Sequence, residues 1–107
     1  MEKNILIDGK NVRLKANALT AIVYRREFQK DLFDELTHID PKKMTGEGIR
    51  TIYELAYVMA KQGDSSIHDS FEQWLDSFEV FPIEEVGSEV LALWQKSNTG
   101  LSKSKNM

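Results

Sequence analysis

Four carboxylates, Asp69, Glu72, Asp76 and Glu79, stand three or four residues apart, a spacing that lines one side of a helix. Paired carboxylates do general acid–base work when burial or close approach shifts their pKa values. These four alternate with Phe71, Trp74 and Phe78, so an amphipathic helix would turn them to solvent, where such shifts do not arise. His38 and His68 are far apart, and there is no cysteine. That removes thiolate and zinc-type ligand sets, disulfides and cysteine nucleophiles. The stretch from Asp64 to Asp69 begins like a calcium loop. It lacks glycine at the sixth position and has Leu75 at the twelfth, where a bidentate glutamate is needed. No glycine-rich phosphate loop or nucleophile-elbow serine is present. The expectation is a non-enzymatic protein with no cofactor and no metal.

The charge pattern points to binding instead. Residues 62–95 carry eight acids and no Lys or Arg, whereas residues 1–61 carry 11 bases and 9 acids. The same acidic stretch holds Phe71, Trp74, Phe78, Phe81 and Trp94. Acids that cap helices and solvate outer faces account for many positions singly, and aromatics at helical spacing are usually core. A stretch of 34 residues without one base is better explained as a surface turned to a partner. Tryptophan favours interfaces, so Trp74 and Trp94 are candidate contacts, with Leu93 and Leu101 extending the patch and Asp76, Glu79 and Glu89 forming its acidic rim. Arg25, Arg26, Lys30, Lys42, Lys43 and Arg50 are interleaved with Glu27, Asp31, Asp34 and Glu35, and the isoelectric point is near 5.4. A nucleic-acid reader needs a basic stripe, so no nucleic acid is expected. No apolar run approaches the roughly 18 residues of a membrane span, and MEKNILIDGK has no signal-peptide pattern. A soluble cytosolic protein without membrane contact is expected.

These residues need elements to hold them. Ile5-Leu6-Ile7 and Val12-Arg13-Leu14 flank Asp8-Gly9, a hairpin with an even-numbered loop that keeps the apolar residues on one face. A first helix should start after Asn17 as N-cap. Its stripe of Leu19, Ile22, Val23, Phe28, Leu32, Phe33 and Leu36 is interrupted near Arg25–Glu27, which predicts a bend or a second short helix. Ile49, Ile52, Tyr53, Ala56, Met59 and Ala60 mark a central amphipathic helix closed by Gly63 as a C′ glycine. Asp69 and Glu72 have capping-box spacing ahead of a short helix. Pro82 opens a last helix with Ile83, Val86, Val90, Leu93 and Trp94 on one side. The fold class is mainly α (α+β): an N-terminal β-hairpin packed on a bundle of four to five helices. Residues 1–97 form one domain, and residues 98–107 are a disordered polar tail.

In content and order, IDGKNVRLKANALT (7–20), YRREFQKDL (24–32), ELAYVMAKQ (54–62) and FEQWLDSF (71–78) resemble the tail assembly chaperones of long-tailed bacteriophages and prophages of Gram-positive bacteria. Gln29 stands where many such chaperones carry glycine. The resemblance implies a protein of the host bacterial cytoplasm that binds the tape measure protein and keeps it soluble while tail tube subunits polymerise around it. It brings the tail tube protein into view as a second partner, implies self-association, and implies absence from the mature virion. It also implies a short product whose longer form arises by ribosomal frameshifting, for which a slippery codon run would fall near Ser102-Lys103-Ser104-Lys105. The alternative from another class is a small phage-encoded regulator that binds DNA or a host factor.

Overall fold

The computed structural model describes residues 1–40 and 45–98. The chain begins with β1 (Glu2–Ile7) and β2 (Lys10–Lys15), paired antiparallel with Ile7 opposite Lys10 and Ile5 opposite Val12. Asp8 and Gly9 form the loop at φ 55 and 73. A two-residue hairpin turn needs positive φ at both central positions, and its twist matches that of the strands. The even loop expected from the sequence is therefore the two-residue one. Ile5, Ile7, Val12 and Leu14 share the inner face, with Ile7 and Leu14 fully buried.

Met1 and Ala16 exchange two backbone hydrogen bonds, at 3.0 and 2.8 Å. Because bonded and non-bonded pairs alternate along an antiparallel ladder, the other bonded pairs are Lys3–Leu14, Ile5–Val12 and Ile7–Lys10. Glu2, Asn4 and Leu6 therefore turn their backbone N–H and C=O groups away from β2. Asn11, Arg13 and Lys15 turn theirs away from β1.

Five helices follow: α1 (Thr20–Phe28), α2 (Leu32–Thr37), α3 (Gly46–Gly63), α4 (Phe71–Asp76) and α5 (Ile83–Asn98). Asn17 does not cap α1. Its side chain accepts from Leu19 N (2.9 Å) in a turn that precedes the helix. The Thr20 hydroxyl accepts from Asn17 N (2.9 Å) and donates to Gln62 Oε1 (2.8 Å), which ties the start of α1 to the end of α3. The break between the first two helices lies at Gln29, two residues beyond the interruption at Arg25–Glu27. Gln29 takes φ 55, the left-handed conformation that glycine adopts most easily. Its side chain donates to Arg26 O (2.8 Å), and Asp31 then caps α2 by accepting from Phe33 N (3.0 Å). Leu19, Ile22 and Phe33 fall on the outer side of the stripe and are exposed.

α3 is central. From Thr51 to Ala60 every residue except the half-buried Tyr53 is buried, with the hairpin, α1, α2, α4 and α5 packed around it. Aromatic rings fill the wedge beside it: Trp74 lies 5.6 Å from Tyr57, 5.1 Å from Phe78 and 6.0 Å from Phe81, centroid to centroid. α4 is capped by Ser70, which accepts from Gln73 N (3.3 Å). Asp69 is drawn instead to Lys61, 2.5 Å away on α3, so the capping-box reading of Asp69 and Glu72 is corrected. Asn98 closes α5 with its side chain on Trp94 O (2.8 Å). The rest of the expected tail lies outside the described residues.

Gly63 is the last residue of α3 rather than a glycine beyond it. Its role is close approach: a Cβ there would sit 2.2 Å from the Arg13 carbonyl oxygen and 2.9 Å from its carbon. The outward edge of β2 lies against the end of α3, and only glycine leaves room for that backbone. Overpacking of this kind costs about 1–3 kcal/mol. Gly63→Ala should therefore lower stability by that amount in denaturant melts. Gly46→Ala, where a Cβ meets nothing within 4 Å, should stay within about 0.5 kcal/mol of the parent. Equal stability of the two variants would contradict this account of the α3–β2 contact.

Candidate functional site

The hairpin has two edges, and they end differently. The edge of β2 is closed at Arg13 by Gly63. The edge of β1 faces a groove of about 560 Å³ against the first half of α5. Its apolar lining is Ile5, Leu6, Pro82 and Val86, with Glu85 and Glu89 beside them. Leu6 is 72% exposed, and Val80, two residues before Pro82, is also exposed. Glu85 makes no ion pair among the described residues, whereas Glu89 is held by Lys3 from the inner face of β1.

The turn of the hairpin fixes the other wall. Asp8 Oδ2 accepts from Glu79 N (3.0 Å). Lys10 donates to Ser77 O (2.5 Å) and lies 5.0 Å from the centre of the Phe78 ring. The link between α4 and α5 is thereby fastened beside the hairpin, which carries Pro82 to the rim of the groove. The result is an apolar strip edged with acids.

Of the described residues singled out from the sequence, only Glu89 lines this groove. Asp76 and Glu79 are exposed and Glu89 is half-buried in the groove wall. Trp74 and Leu93 are buried in the core, at 3% and 6% exposure. Trp94, at 8% exposure, lies under Phe33, ring centres 5.3 Å apart. It forms part of a second, smaller hollow of about 260 Å³ with Leu36, Ile39, Leu91 and Gln95. The expected placement of Trp74, Leu93 and Trp94 on an accessible patch is thus corrected. Each sits on the side of its helix that faces α3 or α2, where burying a large ring or an isobutyl group gains most. Leu101 lies outside the described residues.

The groove residues that the sequence did not mark as partner contacts are Ile5, Leu6, Pro82, Glu85 and Val86. One signal was present. β2 alternates Val12-Arg13-Leu14, but β1 reads Ile5-Leu6-Ile7, so Leu6 must face outward if its neighbours face inward.

Other ionisable groups serve the fold. Glu54 is fully buried at the middle of α3. Its carboxylate accepts from the Tyr24 hydroxyl (2.6 Å), from Lys30 (3.2 Å to each oxygen) and from Arg50 (3.1 Å). Burial, and then this carboxylate, push the Tyr24 hydroxyl far above the usual tyrosine range. The hydrogen bond from Lys61 holds Asp69 below the ordinary carboxylate range, the reverse of what a general acid requires. No group of three or more histidines and carboxylates that could hold a metal ion occurs among the described residues. No helix among them is long and apolar enough to cross a membrane.

Comparison of the chain with protein-family models, with curated proteins and with solved structures finds no match.

The burial of Trp94 makes a direct prediction. Trp94→Ala should cost about 3–5 kcal/mol, as large core truncations do. Phe33→Ser, at a ring 56% exposed, should cost far less. Chemical denaturation of both variants checks this, and a Trp94→Ala protein as stable as the parent would return the indole to the surface.

Proposed function

We propose that this chain is a non-enzymatic tail assembly chaperone of a long-tailed phage or prophage. It binds the tape measure protein in the host cytoplasm and keeps it soluble until the tail tube forms around it. The observation that carries this reading is the acid-edged apolar groove between β1 and α5. A long apolar partner with Lys and Arg among its apolar residues would gain affinity from Ile5, Leu6, Pro82 and Val86. It would gain orientation and encounter rate from Glu79, Glu85 and Glu89. The polarised charge of residues 62–95 supports the same reading. So does the resemblance of the hairpin, α1, α3 and α4 segments to that family. Contacts with the tail tube protein and between copies of the chain belong to the same proposal, as does absence from the finished particle.

Co-expression with the tape measure protein from the same gene cluster tests it. The tape measure should be insoluble alone and should co-purify in a soluble complex with this chain, whose stoichiometry light scattering would give. A tape measure equally soluble with and without this chain, together with retention of duplex DNA at low salt, would overturn the proposal in favour of a regulator.

A further inference from the structure

The wall of the groove is a strand edge. Asn4 and Leu6 line it, and the ladder turns their N–H and C=O groups toward the open side. Among the described residues these backbone groups have no hydrogen-bond partner. Proteins blunt exposed edges with bulges, prolines, outward charges or a covering element. β2 has the end of α3 over it at Arg13. β1 has an unbroken register from Glu2 to Ile7, no proline and no bulge, and its most exposed apolar residue is Leu6. A groove of about 560 Å³ falls within the size of ordinary binding clefts, roughly 300–1,000 Å³.

We infer that the partner segment taken up here is extended and adds to the free edge of β1 as a third strand. Its backbone bonds to Asn4 and Leu6, its apolar side chains enter the groove against Ile5 and Val86, and a Lys or Arg meets Glu85. Charge fixes the chemistry of the occupant. Glu85 is exposed and unpaired among the described residues, and Glu89 has only Lys3, so a basic residue is favoured over an acidic one. Alternation of side chains along a strand then calls for a segment of apolar residues with bases among them. The inference rests on the proposed function for the identity of the partner and deepens it: the chaperone holds its client in extended form. The geometry of the edge stands apart from that identity.

The test uses the full chain and a fluorescein-labelled synthetic peptide of alternating Val and Lys, with binding read by anisotropy. A second peptide of the same sequence carries N-methyl groups at alternate residues, which block backbone bonding and leave the charge unchanged. The N-methyl peptide should bind at least tenfold more weakly. Asn4→Pro should weaken the unmodified peptide to a similar extent. The Asn4 N–H takes no part in the ladder, so proline costs the hairpin no hydrogen bond. Glu85→Gln should weaken it a few-fold, with the loss shrinking as salt is raised. Equal affinity for the two peptides, or no binding of the unmodified one, overturns strand addition without reliance on any variant's folding. Co-expression separates this from the chaperone reading. If the parent and a folded Asn4→Pro protein both solubilise the tape measure, strand addition fails and the chaperone reading stands. If neither does, the chaperone reading fails and the two peptides alone decide strand addition.

Discussion

The carboxylate of Glu54 constrains the whole molecule. A charge with no solvent exposure is tolerated only when ion pairs and hydrogen bonds replace its water. Arg50 supplies one from the preceding turn of α3, Tyr24 another from α1, and Lys30 the third from the link between α1 and α2. The left-handed backbone at Gln29 stops α1 one residue before Lys30. Removing Glu54 alone would leave the Tyr24 hydroxyl buried without its acceptor, and removing Lys30 would leave the carboxylate short of charge. The network therefore fixes α1 and α2 against the middle of α3. With that helix set, the hairpin can close over its far end, where Gly63 admits the Arg13 carbonyl.

A two-stranded hairpin is marginal on its own, so its position is dictated by what it packs on. Its inner face covers α3, and its turn is pinned to the α4–α5 link through Asp8 and Lys10. This leaves one edge closed and the other open beside α5. The asymmetry of the two hairpin edges follows from that packing rather than from any single residue. The acids of α5 and of the preceding link lie beside the open edge because the link has been carried there by the hairpin. Two acids of a charge run that reads in sequence as scattered caps and solvated faces, Glu85 and Glu89, stand in space beside the groove.

Local signals in the sequence were legible wherever one residue type has one conformational reason. Asp8-Gly9 foretold the hairpin and its even loop, the 3.6-residue period foretold α3, and Pro82 foretold the start of α5. Signals failed where a tertiary contact competed. Asp69 was a fair cap for α4 until Lys61 claimed it and Ser70 took its place. Gly63 was taken for a terminating glycine because the β2 backbone that requires it is fifty residues away in sequence. The burial of Trp94 is not legible locally, because Phe33 and Leu36, which lie over it, belong to an earlier helix. Of the two acids that line the groove, Glu89 was singled out in the sequence and Glu85 was not. The apolar lining left one trace, the Ile5-Leu6-Ile7 run in which Leu6 must face away from its neighbours; that Pro82 and Val86 lie beside it depends on tertiary packing.

The central claim is that the partner occupies the open side of β1. Backbone amide hydrogen exchange tests it most directly, on the free chain and on its complex with the tape measure protein. The account predicts rapid exchange at Asn4 and Leu6 in the free chain, because neither N–H is in the ladder, and strong protection of both in the complex, accompanied by residues 82–89. Unchanged exchange at Asn4 and Leu6, with protection gained instead around Phe33, Leu36 and Ile39, would place the partner at the hollow beside Trp94 and contradict the account.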